Sequence, residues 1–421
     1  MEAFVLVIGD FLVAALAAGA AALVGPAILA VGGAGSVIAR IARRRSGPDA
    51  RSPEVSGPIT PRRTRRWGRR ATFAVFAAGA MATVGILIVN LFLVESLLRW
   101  ALEGVRERTG AEVTFGAADA NLFTGRLTLE GLTLRRPRHA TSQFDLRADA
   151  CTLNLSMTDL LLWRVNLDEL AIRGVRGQFE RVRKVERMAP RREFEIERLT
   201  LEDADVVFND ATDDDGPPVA IALHVDQLCT SPFASRWAVF DTLFRSNANG
   251  AIDGQPFAIE SRPAGDGRET HWTARSLPIT TAAAVIGGPL SWMKRGVMDV
   301  DVTDRWQRGG GTRIELDYRI VLRDVEAVTP ARGAVLRGVG ERIVTYVNEH
   351  GAELPLAFTL TLDQGRFEAA ASPEAAGLGA AAADALLAAL ADAAGVPGAR
   401  LRELSDEATD RAKRLLKRER R

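Results

Sequence analysis

Ala111-Glu-Val-Thr-Phe-Gly-Ala-Ala-Asp-Ala-Asn-Leu-Phe-Thr-Gly-Arg-Leu-Thr-Leu-Glu-Gly-Leu-Thr-Leu-Arg-Arg-Pro137 is the stretch that decides the fold. Leucines alternate with polar residues at Leu127 and Leu129, then again at Leu132 and Leu134. A period of two gives each run one wet face and one apolar face. Gly125 and Gly131 interrupt the runs where a tight turn or a bulge belongs. The pattern repeats in Phe144-Asp-Leu-Arg-Ala-Asp-Ala-Cys-Thr-Leu-Asn-Leu155. It repeats again, after the apolar run Thr158-Asp-Leu-Leu-Leu-Trp-Arg164, in Val165-Asn-Leu-Asp-Glu-Leu-Ala-Ile-Arg-Gly-Val-Arg-Gly-Gln-Phe-Glu180.

Further alternating runs cover Phe194–Leu201, Val219–Leu228, Gly250–Glu260, Gly296–Thr303, Thr312–Leu322 and Leu356–Leu362. Between them, Trp237–Arg245 reads as a helical turn packed on the sheet, and Ile279–Ile286 as a short helix stopped by Gly287-Gly-Pro289. Val335–Glu349 is amphipathic, and Ala380–Ala394 is an Ala/Leu helix ended by Gly395 and Pro397. Ala399–Arg421 has two readings: a helix lying on an anionic membrane surface, or a solvated helix whose basic end suits its dipole.

Upstream, residues 11–39 carry no charge and exceed the roughly 20 residues needed to cross a bilayer. Pro26 would kink that helix or mark a re-entrant hairpin. Residues 40–70 are crowded with arginine and broken by Pro48, Pro53, Pro58 and Pro61. A cytoplasmic loop held inside by its charge is expected there, in preference to a DNA-binding arm. Residues 71–94 form a second apolar run. With the arginine loop inside, everything beyond about residue 97 is expected outside the cytoplasm. Residues 95–109 continue as an amphipathic helix that caps the first strands.

The expected class is therefore α+β: N-terminal transmembrane helices, then a long, mostly antiparallel curved β-sheet forming a half-pipe groove, with short helices and a helical C-terminus. The expected units are residues 1–39 and 71–97 as transmembrane helices, 40–70 as a basic loop, 98–372 as the β-groove and 373–421 as C-terminal helices. The chain has 421 residues and a net charge of +1, so no global field argues for nucleic acid.

Phe123-Thr-Gly-Arg-Leu-Thr-Leu-Glu-Gly-Leu-Thr-Leu-Arg-Arg-Pro137, the run Asp159–Arg164 with the strand after it, and Tyr346-Val-Asn-Glu-His-Gly-Ala-Glu-Leu-Pro-Leu-Ala-Phe358 resemble phrases of the AsmA-like family. These are TamB/YhdP-type envelope proteins, related to bridge-like lipid transfer proteins. The likeness covers roughly residues 95–370, in hydrophobic patterns with glycines rather than catalytic signatures. It implies a half-pipe whose apolar face holds acyl chains, a place in the periplasm at the inner membrane, and a role in envelope biogenesis or maintenance. Two N-terminal spans depart from the family's usual single anchor.

No catalytic constellation stands out. His139, His224, His271 and His350 lack metal-ligand spacing, and no Gly-x-Ser-x-Gly occurs. Asp210, Asp213, Asp214 and Asp215 miss the calcium-loop pattern, which leaves a solvated hairpin tip as the plainer reading. Cys151 and Cys229 are read either as a disulfide or as two small buried hydrophobes. No enzyme activity, cofactor or metal is expected.

The candidate lipid-groove residues are Val113, Phe115, Leu127, Leu129, Leu153, Leu155, Leu167 and Ile172, each of which serves equally well in a dry core. The expected partners are phospholipid, a membrane, and either an envelope protein or a second copy. The alternative is a scaffold that assembles outer-membrane proteins by pairing exposed strand edges with client strands.

Overall fold

The computed structural model describes residues 99, 102–103, 106, 111–121, 124–137, 142–156, 166–182, 195–210, 219–234, 238–265, 267–307, 313–329, 337–363 and 377–396. They build one 14-stranded sheet. Its strands are β1 (Glu112–Thr114), β2 (Ala117–Asn121), β3 (Arg126–Arg136), β4 (Ser142–Leu155), β5 (Asn166–Arg181), β6 (Glu195–Asp210) and β7 (Val219–Thr230). They continue as β8 (Phe233–Ala234), β9 (Ser246–Ile252), β10 (Gln255–Ala264), β11 (Gly267–Pro278), β12 (Met293–Gln307), β13 (Arg313–Ala327) and β14 (Glu353–Asp363). Apart from β2 and β8, which attach to β3 and β6, the strands stack in chain order. β5 and β6 run parallel, and the other described ladders are antiparallel.

Among the described residues, four helices with defined bounds accompany the strands: α1 (Ala238–Phe244), α2 (Ile279–Ile286), α3 (Arg337–His350) and α4 (Leu378–Ala393). A 3-10 turn, Gly288–Trp292, follows α2. The expected fold class needs correction here. The architecture is one large mixed sheet with a few short helices. Among the described residues no helix is long and apolar enough to cross a membrane. The most apolar long helix, α4, has 16 residues, or about 24 Å against the roughly 30 Å of a bilayer core. The spans expected at 11–39 and 71–94 and the basic loop between them lie outside the described residues, as does the helix expected at 399–421.

The strands are longer than the sequence runs suggest, because bulges join neighbouring runs into one strand. In β3 the in-facing leucines are Leu127, Leu129, Leu132 and Leu134. The step from Leu129 to Leu132 is three residues, which in a regular strand would turn Leu132 outward. Gly131, at φ 61°, takes up the extra residue and keeps all four on one face. The same three-residue step recurs at Ile172/Val175 beside Gly174, Leu201/Ala204 beside Asp203, and Leu322/Val325 beside Asp324, each with positive φ. Neighbouring bulges thus crease β3, β5 and β6, and a separate bulge bends β13.

The two faces differ sharply. The outer face carries ion pairs: Arg173–Glu202, Arg176–Asp203, Arg295–Glu326 and Arg323–Asp299. The inner face carries two apolar clusters. The first is built on β1–β9, joined by Leu102. In the second, α1–α4 and the 3-10 turn cover β11–β14. Cys151 faces inward and is buried; Cys229 follows the in-facing Leu228 and points the other way, and both are free thiols.

Candidate functional site

The register places apolar residues in line across the whole sheet. Starting at β2, successive paired residues are Ala118, Leu129, Cys151, Ile172, Leu201 and Leu228. The line continues through Ala248, Ile259, Trp272, Val302, Tyr318 and Phe358 on β14. No polar side chain interrupts it. At about 4.8 Å per strand it runs about 50 Å. A neighbouring apolar row passes through Val175, Ala204, Val225, Gly250, Phe257, Ala274, Val300, Ile320 and Leu356.

These rows are covered at both ends and partly open in the middle. Leu129, Ile172 and Leu201 on one side, and Val302 and Ile320 on the other, are buried. Between them Val206, Leu223, Ile252, Phe257, Ile259, Trp272, Ala274 and Val300 are only half-buried. This apolar strip lies where the two clusters meet.

All eight residues singled out in the sequence pack in or on the first cluster. Leu129 and Ile172 lie in the central row. Leu127 pairs with Leu153 in the row beside it, and Leu155 with Leu167 one row further. Phe115 follows β1, with the Arg99 guanidinium 5.2 Å above its ring. Val113 pairs with Leu134. Val113 and Leu155 are half-buried and the other six are buried. None of the eight lies in the middle strip.

A buried polar row runs beside the strip. Thr230 pairs with Ser246, their hydroxyls 2.5 Å apart. Ser261 pairs with Thr270, and Thr270 with Asp304. The row seats the C-terminal end of α1, whose last carbonyls have no partner within the helix. Ser246 donates to the Asp241 carbonyl at 3.1 Å, Ser261 to the Phe244 carbonyl at 3.1 Å, and Thr270 to the same carbonyl at 2.7 Å. The Trp272 indole donates to the Leu243 carbonyl at 3.1 Å. Phe244 stacks at an angle on Trp272, 5.3 Å between ring centres.

Three ionisable side chains, Arg245, Arg268 and Asp304, face inward around this seat. Arg245 is buried and donates to Asp241 at 2.9 Å. Arg268, half-buried, donates to the Ser261 hydroxyl at 3.0 Å and to the Ser261 carbonyl at 3.2 Å. Burial, and then the nearby Arg245 charge, lower the pKa of Arg268. Asp304 is buried and accepts from the Thr270 amide at 3.2 Å, while its Oδ2 meets no partner. Burial lifts the Asp304 carboxyl to about 8.

On the outer face, Asp203, Asp205 and His224 come close enough together to hold a metal ion. The Arg176 guanidinium already takes the position of a cation, 2.7 Å from Asp203 and 3.1 Å from Asp205. His224 lies 2.5 Å from Asp205 and 3.1 Å from Asp226, and these two hydrogen bonds raise its pKa. The arrangement is an exposed ion-pair network. Of the acidic run expected at a hairpin tip, residues 211–218 lie outside the described residues.

No family model matches the chain. The chain is 23% identical over 238 residues to the mitochondrial distribution and morphology protein 31 of Saccharomyces cerevisiae. That likeness covers 51% of this chain and 38% of the yeast protein.

Proposed function

We propose that this protein binds phospholipid by laying acyl chains on the inner face of its sheet and moves them along that face, in the biogenesis or maintenance of a cell envelope. The observation that carries the reading is the unbroken apolar line from Ala118 on β2 to Phe358 on β14. An acyl chain gains about 0.8 kcal/mol for each methylene taken out of water. A continuous apolar face supplies that gain at every step, so a chain shifts along it without a catalytic group. The half-buried strip around Phe257, Ile259 and Trp272 is where a chain first makes contact. The AsmA-like resemblance supports the same reading and suggests the periplasm at the inner membrane as its setting.

The test is transfer of a fluorescent phospholipid between vesicles by the full chain and by Ile259→Asp. Ile259 is half-buried, so a carboxylate there reaches water without unfolding the sheet. The expected result is accelerated transfer by the wild type and its loss in the variant. Equal transfer by both proteins would refute the reading.

A second reading has its own observation. Among the described residues β14 pairs only with β13, so its far edge offers unpaired backbone groups. A scaffold that pairs this edge with client strands would crosslink through β14 and ignore a charge at Ile259.

A further inference from the structure

We propose that Arg245 and Arg268 form a subsite for a phosphate group, the head-group phosphate of the amphiphile whose tails lie on the neighbouring apolar rows. The inference rests on the lipid-binding reading for the source of the phosphate, and on local geometry for the phosphate itself.

Arg268 stands on the inner face of β11, one in-facing position beyond Thr270 and two beyond Trp272. In a strand that spacing is about 6.6 Å per in-facing step. The cation therefore lies within a head group's reach of the half-buried apolar strip. Its hydrogen bonds go to Ser261 alone, a hydroxyl and a carbonyl, so among its described contacts no carboxylate balances its charge. The charge near it is another cation, Arg245, which works against it.

Arg245 uses Nη1 on Asp241 and leaves its buried Nε without an acceptor. The Asp241 carboxylate is fully engaged: Oδ1 takes Arg245 and Oδ2 takes the Ala234 amide at 2.7 Å. Of the two guanidiniums only Arg245 has a carboxylate partner, and both oxygens of that carboxylate are committed. Burying like charges together is unfavourable unless an anion joins them. A phosphate accepts from several N–H groups at once, and paired arginines suit it. Asp304, in the adjoining polar row, is protonated at neutral pH and adds no opposing negative charge.

The experiment uses the full chain and two lipids with identical oleoyl tails, phosphatidic acid and diacylglycerol, offered in vesicles. Wild type should retain the phosphatidic acid about tenfold better. Arg268→Gln should remove that preference and leave diacylglycerol retention unchanged. Arg268 is the residue to change, because Arg245→Gln would strand the buried Asp241. Inorganic phosphate provides the second arm. Thermal stabilisation of wild type by phosphate, absent in Arg268→Gln, supports the subsite even if neither lipid is retained, and identifies free phosphate as its ligand. Phosphatidic acid retention that resists competing phosphate identifies the lipid head group. Equal retention of the two lipids by wild type, without stabilisation by phosphate, would overturn the subsite and leave acyl-chain binding standing. Retention of neither lipid, without stabilisation by phosphate, would overturn both.

Discussion

Changing Asp304 to asparagine should stabilise the protein at neutral pH, the reverse of what substitution at a buried position usually does. Asp304 is fully buried in the polar row, its Oδ1 accepts from the Thr270 amide, and its Oδ2 has no partner. Burial raises its carboxyl from 3.8 to about 8. An acid whose pKa is raised by folding contributes its full stability below the unfolded value. That contribution is lost as pH climbs from the unfolded value, near 4, to the folded value, near 8. At pH 7 the folded chain must hold a proton the unfolded chain has released, which costs on the order of 4 kcal/mol. Asparagine keeps the acceptor for the Thr270 amide and carries no charge, so most of that cost disappears. Urea unfolding of both proteins at pH 5 and pH 8 checks this. Asp304→Asn should gain on wild type steadily between those values. His224, whose pKa is raised by Asp205 and Asp226, also loses stabilisation as pH rises, but it is present in both proteins and cancels in the difference. Parallel pH profiles for the two proteins would refute the reasoning.

Three further substitutions test the packing. Leu129→Ala, near the β2 end of the apolar line and 1% exposed, should cost about 3 kcal/mol in denaturant unfolding. Thr270→Val removes a donor to the Phe244 carbonyl and should cost about 1–2 kcal/mol, with faster amide exchange in α1 than elsewhere. Gly177→Ala should lower stability by about 2 kcal/mol or more, because Gly177 sits at φ 147° and a Cβ there would strike the Asp145 carbonyl and the Leu146 backbone; thermal melting of the variant reads this directly.

Alternation was enough to find most strands, because one buried face imposes a period of two on every one of them. Composition and glycine placement were enough for α2, whose stop at Gly287 is visible in the sequence. What could not be read locally was register. Leu129 and Phe358 belong to one line only because ten ladders align between them, and ladder pairing is a long-range property. The bulges were half legible: Gly131 was visible as a break, but not as the residue that keeps Leu132 on the face of Leu129. The parallel pairing of β5 with β6 left no local mark. All the residues proposed from sequence came from the first third of the sheet, where alternation is cleanest. The half-buried strip on β6–β12 was passed over, although Phe257 and Ile259 alternate as clearly. Asp304 did leave a signal, an acid in phase with Val300 and Val302 on the apolar side of its strand. Arg268 left none, since its significance depends on Arg245 arriving from the end of α1.

The central claim is that the apolar line holds lipid, and mass spectrometry of lipids retained by the gently extracted full-length protein tests it most directly. The account predicts phospholipid in stoichiometric amount, reduced by Ile259→Asp. A folded protein that carries no lipid, with the apolar strip empty, would contradict it.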